Sequence, residues 1–255
     1  MSNPLAEVFG FPIVNESEPA KLNRNQRLCP FNNVASKCTK TRADDPLGVC
    51  SVYDRGKPVI TCPVRFTEDW LFVVDAPDFF FKPDARYRLL RNVRLKRNGG
   101  LVGNIDNMII LFDDEGEVLD CVSLEIQAVF ISGDLYGPFR AYLENPTSKF
   151  DWGGVSDYPS PDYFLSLRKQ LVRQVTSIHS AFKGRIKRAI AIQTYLFEQL
   201  PDFPEVSKEE ANLSWFLYDL VEDKNKKVFR LKLNRIVNCL LSNSDFVELA
   251  QQSNL

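Results

Sequence analysis

Two apolar runs in the middle of the chain, GNIDNMIILF at Gly103–Phe112 and EVLDCVSLEIQAVFI at Glu117–Ile131, flank the tetrapeptide DDEG at Asp113–Gly116. Apolar runs that are bounded by turn-forming residues predict β-strands, and Asp and Gly between them predict a tight turn. The stretch therefore predicts an antiparallel hairpin.

Polar side chains interrupt the second of these runs. Glu125 and Gln127 are two residues apart, so in a strand they share one face, while Leu124 and Ile126 point to the other. A charged residue inside an apolar strand is costly unless something pairs with it. A divalent cation is one such partner.

Asp106, in the first run, is expected on the same face as Glu125. If the turn has four residues, Asp106 opposes Ser123 and lies diagonal to Glu125; a two-residue turn puts it directly opposite Glu125. Only an odd shift in register would separate the two carboxylates. Two carboxylates and an amide suit Mg²⁺, which can activate a water against a phosphodiester. The alternative is that Asp106 binds turn backbone and Glu125 pairs with an arginine.

Four of the six cysteines fall in one polar, loop-like stretch, and they are Cys29, Cys38, Cys50 and Cys62. Four thiolates can hold a tetrahedral zinc or iron ion, which would order such a segment. The alternative is four separately buried cysteines, since no CxxC pair is present. The other two, Cys121 and Cys239, lie in apolar strands and are expected in the core.

The remaining pattern is mixed α/β. Residues 1–70 look irregular and residues 71–131 look rich in strands, beginning with LFVVDA at Leu71–Ala76. An amphipathic helix is predicted from a cap at Ser160 to Gly184. Further elements are expected after it: strands at Arg185–Gln193, Leu213–Glu222 and Val228–Val237, and a short helix at Asp245–Gln252.

The composition is that of an ordinary globular protein. The chain has 255 residues, a net charge of −1 and 44% hydrophobic residues. No apolar run approaches the ~20 residues that span a bilayer, and no signal peptide is visible, so a cytoplasmic protein without membrane contact is expected. Basic residues cluster at Arg86–Arg97 and Lys183–Arg188. No glycine-rich phosphate loop is present, so no nucleotide cofactor is expected.

Several segments, taken in order, resemble the NotI-type restriction endonucleases of the PD-(D/E)XK nuclease superfamily. They are AEVFGFPI at Ala6–Ile13, CPF at Cys29, GVC ending at Cys50, CP at Cys62, GNID ending at Asp106, LEIQ at Leu124–Gln127 and the RIKRAIAI run from Arg185.

This resemblance implies an α/β fold: a PD-(D/E)XK core over residues 71–255, with a mixed central sheet flanked by helices, and a small irregular metal-binding element over residues 1–70. It implies a homodimeric type II enzyme that cuts double-stranded DNA at a palindromic, G·C-rich site with Mg²⁺. By motif, Asp106, Glu125 and Gln127 carry over as catalytic residues, with Asp106 and Glu125 as Mg²⁺ ligands. The ligands of one structural iron, or alternatively zinc, would be Cys29, Cys38, Cys50 and Cys62.

Two other functions fit the same residues. One is a metal-stabilised DNA-binding protein without catalysis, in which the carboxylates make ordinary salt bridges. The other is a repair or transposition nuclease with little sequence preference. Candidates for reading guanine, which arginine contacts most often, are Arg86, Arg88, Arg91, Arg94, Arg97 and Arg140.

Overall fold

The computed structural model describes residues 4–40, 44–97, 100–132, 136–144, 150–152, 160–166, 186–242 and 245. Its strands are β1 Leu5–Val8, β2 Phe11–Pro12, β3 Val49–Asp54, β4 Lys57–Ile60, β5 Arg86–Arg97, β6 Gly100–Phe112, β7 Val118–Gln127, β8 Phe130–Ser132, β9 Ser160–Asp162, β10 Lys187–Gln193, β11 Leu213–Asp223 and β12 Val228–Cys239. Its helices are α1 Glu18–Gln26, α2 Leu71–Phe80, α3 Tyr136–Glu144, α4 Tyr163–Ser166 and α5 Thr194–Phe197, with a 3-10 segment at Pro63–Trp70.

The chain forms two compact units. The first comprises Met1–Leu71, Ala128–Tyr163 and Asp219–Lys232, and the second comprises Phe72–Gln127, Phe164–Tyr218 and Leu233–Leu255. The predicted division of function at residue 70, with metal binding before it and catalysis after it, stays a prediction. Among the described residues, no helix is long and apolar enough to cross a membrane.

A six-stranded sheet with the order β12-β11-β10-β7-β6-β5 carries the candidate site. Strand β10 pairs in parallel with both β7 and β11, while β5, β6 and β7 pair antiparallel. Residues 188–193 of β10 are all buried, as expected for a parallel strand covered on both faces. The mixed central sheet confirms the predicted α/β class, and β10, β11 and β12 confirm the three predicted later strands.

The predicted hairpin is formed by β6 and β7, and its register at Asp106 and Glu125 is that of the second alternative, two residues from the register of a four-residue turn. The backbone amide of Asp113 donates to Glu117 at 3.0 Å across the turn, so Phe112 pairs with Val118. A bulge follows, since Leu111 pairs with Asp120 and leaves Leu119 as the extra residue. Each of these steps shifts the register by one. Together they give an even shift, which keeps every side chain on its predicted face.

The prediction of a strand at Leu71–Ala76 is wrong, because these residues begin helix α2. Residues Phe72, Ala76 and Phe79 recur at helical spacing, and the rings of Phe72 and Phe79 pack edge-on against Phe216 at 5.4 and 5.5 Å. The hydroxyl of Tyr218 donates to Asp75 at 2.7 Å. Packing of this aromatic face outweighs the strand preference of the valines.

The prediction that residues 1–70 are irregular is also wrong, because a four-stranded sheet with the order β2-β1-β3-β4 lies there. All residues of Leu5–Val8 are buried, including Glu7. The strand therefore lacks the alternation of polar and apolar residues that marks a strand in a sequence.

Two other boundaries differ from the predictions. The strand expected over Glu117–Ile131 is divided into β7 and β8, and Ser160 does not cap a helix, because Ser160–Asp162 pairs with β8 instead. Helix α4 begins at Tyr163, and residues 167–185 of the predicted helix lie outside the described residues. The same is true of the predicted C-terminal helix after Asp245.

Candidate active site

Asp106 and Glu125 face each other where the β6–β7 ladder ends. The final pair of this ladder is Asn107 with Leu124, so the next residues, Asp106 and Glu125, stand opposite each other. Asp106 Oδ2 accepts a hydrogen bond of 3.1 Å from the backbone amide of Ile126. The Asp106 carboxylate thus accepts the amide hydrogen bond that a main-chain carbonyl of β6 would otherwise accept. This hydrogen bond holds the Asp106 side chain toward β7.

The environment of Asp106 and Glu125 disfavours the ionised form of both carboxyl groups. Glu125 is only 1% exposed, and burial together with the charge of Asp106 raises its pKa to about 9. Burial likewise raises the pKa of Asp106. Ionising both groups here without a cation would be unfavourable, because burial penalises each charge and the two repel each other.

Compensating groups are missing within the described part of the chain. The Asp106 carboxyl and amide lie near Glu125, but neither Glu125 oxygen has a hydrogen bond of good geometry. No ion pair joins Asp106 or Glu125 to a basic side chain of these residues. Among the described residues, Glu125 therefore does not pair with an arginine, as the alternative interpretation had expected. A divalent cation between the carboxylates fits the donor set.

Gln127 lies two residues after Glu125 on the same face and is 1% exposed. Its Nε2 donates to the backbone carbonyl of Ser166, in α4, at 3.1 Å. This hydrogen bond fixes which end of the amide faces the helix backbone, so the carbonyl oxygen of Gln127 turns away from it. An amide in this orientation offers an oxygen, as a metal ligand would.

Strand β10 encloses the site from the other side. Ile190 lies opposite Glu125 in the parallel ladder, and Ile192 lies opposite Gln127. These apolar neighbours, 1% and 0% exposed, keep water away and strengthen electrostatic interactions.

One residue near the site was not singled out by the sequence. Arg188 lies opposite Ser123, is 2% exposed, and donates from Nε to the carbonyl of Asn212 at 3.4 Å. Burial lowers its pKa to about 10. A signal was present, since Arg188 is a charged residue that opens an apolar run. It also ends a basic cluster, however, and such clusters are usually solvated.

The four cysteines of the first unit are brought near one another. The backbone amides of Cys29 and Cys38 bond to Ser36 and Arg27 around an isolated bridge, and the amide of Cys62 donates to Cys50 at 3.2 Å. Burial raises the pKa of Cys29 to about 11, and a charge on Cys62 would raise it further. Burial also raises the pKa of Cys38 and of Cys50, with Cys62 again contributing.

The cysteines nevertheless do not form a metal centre in this conformation. Among the residues that the structure describes, no group of three or more His, Cys, Asp or Glu side chains is arranged to hold a metal ion. Of the other two cysteines, Cys239 is buried in the core as predicted, whereas Cys121 is only half-buried.

The basic residues predicted as base-reading candidates lie on two different elements of the fold. Arg86, Arg88, Arg91 and Arg94 lie along β5, while Arg140 lies on α3 with its Nε 3.6 Å from Glu144. The side chain of Arg97 lies outside the described set.

Comparison with known proteins agrees with the motifs. The sequence model of the family described as restriction endonuclease NotI matches residues 8–231, which is most of the chain. Comparison with curated protein sequences gives no match. The matched span includes Asp106, Glu125, Gln127 and the four clustered cysteines. The family consists of type II restriction endonucleases, which act on double-stranded DNA. On this match, the chain belongs to the NotI restriction endonuclease family.

Proposed function

We propose that this chain makes Mg²⁺-dependent double-strand cuts at a specific DNA site, with Asp106, Glu125 and Gln127 as its catalytic residues. The observation that carries the proposal is the pair of buried Glu125 and half-buried Asp106, which has no basic partner among the described residues. Adjacent acids with raised pKa values, placed together where two strands diverge, are typical of catalytic sites.

Each residue has a distinct task in this proposal. Asp106 and Glu125 hold Mg²⁺, which when bound would polarise the scissile phosphate and acidify a water. The amide of Ile126 holds Asp106 in place at 3.1 Å, and Ser166 holds Gln127 at 3.1 Å. Ile190 and Ile192 exclude bulk water from the face on which the acids lie. The protein thus contributes prearranged oxygens beside apolar neighbours.

Gln127 occupies the position where the wider superfamily most often has lysine. A glutamine carbonyl can coordinate or accept a hydrogen bond, but it brings no positive charge. We expect Q127K to cut no faster than the parent protein, because the ammonium would stand where the metal binds. Initial rates of plasmid cleavage measure this, and a faster variant would contradict the role assigned to Gln127.

Digestion of plasmid DNA tests the proposal. We expect discrete fragments with Mg²⁺ and no cleavage with EDTA, while D106N and E125Q still retard DNA in a gel shift but do not cut it. Retardation without cleavage by the parent protein under any divalent metal would favour the non-catalytic DNA-binding alternative. A smear in place of discrete fragments would favour the low-specificity nuclease.

The family resemblance supports two finer features of this function. We propose that the site is palindromic and G·C-rich, and that the enzyme is a homodimer, since a twofold enzyme matches a twofold site. Sequencing the ends of a digested phage genome identifies the site and the cut position. Sedimentation of the purified protein gives the oligomeric state, and a monomer that cuts both strands would contradict the second feature.

We also propose, from the resemblance and from the proximity of the four thiols, that Cys29, Cys38, Cys50 and Cys62 bind one structural iron or zinc ion. This part of the chain would have to tighten around such an ion, as metal binding coupled to folding requires. Metal analysis of the purified protein tests this, with C50S expected to lose the ion. The control is C121S, because Cys121 lies on β7, away from the other four in sequence. Equal metal content in both variants would contradict the site.

A further inference from the structure

The β5–β6 hairpin continues past the point where β6 leaves β7. The β6–β7 ladder ends at the pair Asn107 and Leu124, whereas β6 stays paired with β5 as far as Gly100. The residues beyond this point, Val93–Arg97 and Gly100–Ile105, form a two-stranded extension, which we call the basic arm. It begins one residue away from Asp106.

The arm is part of an unusually basic stretch. Residues 86–105 contain six basic residues and no acidic one, although the whole chain has a net charge of −1. Near the turn, Arg86 pairs with Asp114 at 3.2 Å and Arg88 lies over the ring of Phe112 at 5.9 Å. On the arm, Arg94 and Lys96 are exposed and form no ion pair with a carboxylate of the described residues.

Packing fixes the arm, so its charges have a defined direction. Leu95 and Ile105 are 8% and 0% exposed and belong to an apolar cluster with Met108 and Ile186. Because side chains alternate along a strand, the neighbours of Leu95, which are Arg94 and Lys96, turn to the opposite side and into solvent. A flexible surface loop would not hold its cations in this way.

The arm also lies close to the acids. Arg94 pairs with Asn104, which precedes Asp106 by two residues. At about 3.3 Å per residue and about 4.8 Å between strands, the Cα atoms of Arg94 and Asp106 are about 8 Å apart. One phosphate recurs at every nucleotide of a DNA strand, so the long side chain of Arg94 is close enough to contact a phosphate next to the one on which the acids would act.

A backbone feature marks the start of the arm. Asn92, which the register places opposite Asp106, has a φ of 50°, in the left-handed region that asparagine tolerates better than most residues. The pairing of β5 with β6 nevertheless keeps its register through Asn92 and shifts only between Leu95 and Lys96.

We infer that the basic arm grips the phosphate backbone of double-stranded DNA through Arg94 and Lys96, beside the phosphate on which Asp106 and Glu125 act. The inference rests on the proposed nuclease function for its partner, but it concerns binding and not the chemical step. Phosphate contacts fix the position of a duplex without reading its sequence. The arm would therefore set where the backbone lies, and other residues would select the site.

Salt dependence of binding tests the inference without metal or cleavage. The probe is a fluorescein-labelled duplex of mixed sequence, titrated by anisotropy in EDTA at several salt concentrations. Each cation that neutralises a phosphate adds about 0.9 to the magnitude of the slope of log K against log salt, so R94A/K96A should reduce that magnitude by roughly 1.8. The charge-matched control is K224A/K226A, whose exposed lysines lie between β11 and β12 and should leave the slope unchanged.

The outcomes separate this inference from the proposed function. An unchanged slope for R94A/K96A, or equal reductions in both double variants, would overturn the inference while leaving cleavage by the parent protein intact. A selective reduction in a protein that cuts no DNA with any divalent metal would support the arm and reject the nuclease. Thermal unfolding of both variants shows whether their folds are intact, and exposed substitutions should change it little.

Discussion

Two groups of buried carboxylates in this protein are treated in opposite ways. In the first unit, Glu7 and Glu68 share Arg65, whose Nε lies 3.2 Å from Glu7 and whose Nη1 lies 2.6 Å from Glu68. The hydroxyl of Ser51 donates to Glu7 at 2.8 Å, and the amide of Leu231 donates to Glu68 at 2.7 Å. In the second unit, Asp106 and Glu125 have no cation among the described residues.

The contrast is visible in the titration of Glu68 and Glu125, whereas burial raises the pKa of Glu7 even beside Arg65. Although burial alone would raise it, the charge of Arg65 lowers the pKa of Glu68. Burial and Asp106 instead raise the pKa of Glu125 to about 9. Charges that the protein pairs within its own fold need no further partner. Acids left without a protein cation indicate a ligand that comes from outside.

The largest expected effect is on cleavage by E125Q. Removal of one metal-binding carboxylate should slow plasmid cleavage by roughly 10⁴-fold, which corresponds to about 5 kcal/mol. The free energy of unfolding in EDTA should not fall, because an unfavourable buried acid has been removed. The matched control is D120N on the same strand, which should keep its activity. A comparable loss of cleavage in D120N would mean that Glu125 is not distinguished from other carboxylates of β7, and it would contradict its role as a metal ligand.

The next effect is on stability in the first unit. R65M should lower the free energy of unfolding by about 3–5 kcal/mol, because two buried carboxylates lose their cation. Urea unfolding measures the change. R230M is the control, since Arg230 also contacts Glu68, at 2.9 Å, but its side chain is 40% exposed, and it should cost less than about 1 kcal/mol. A loss of stability in R65M no larger than that in R230M would mean that Arg65 does not compensate the buried charges of Glu7 and Glu68.

A pH series in EDTA should separate Glu125 from Glu68 by the sign of its effect on stability. Glu125 holds its proton up to about pH 9 when folded, against a usual value of 4.5, so the folded state binds more protons between these values. Stability should therefore fall as pH rises through this range, by up to about 6 kcal/mol, and E125Q should remove most of the fall. Glu68, with a lowered pKa, contributes stability that is lost as pH falls. Parallel curves for the parent protein and E125Q would contradict the burial of an uncompensated acid.

The sequence predicted the shared face of the candidate site but left its register open between two alternatives. Alternation in LEIQ places Glu125 and Gln127 together, and this conclusion survives any even shift. The actual shift arises from Gly116, whose φ of 89° closes a turn between Asp113 and Glu117, and from the bulge at Leu119. Neither this turn nor the bulge has a residue pattern that distinguishes it in the sequence from a simple four-residue turn.

Elements whose stability comes from distant partners could not be predicted. Helix α2 contains the strand-favouring pair Val73 and Val74, and it is a helix because of its contacts with Phe216. The Arg65 network joins residues that are 58 and 163 positions apart in sequence, so no local pattern indicates it. Strand β1 likewise lacks the alternation of buried and exposed residues that would mark it as a strand. The reason is that Glu7, which would otherwise face solvent, is buried by its contact with the distant Arg65.

Stabilisation by Mg²⁺ tests most directly whether Asp106 and Glu125 form a metal site. Urea unfolding of the parent protein and of E125Q, each with EDTA and with Mg²⁺, separates metal binding from catalysis. At a Mg²⁺ concentration about a hundred times the dissociation constant, the parent protein should gain about 2.7 kcal/mol and E125Q should gain little. Equal stabilisation of both proteins, or none of either, would contradict the site.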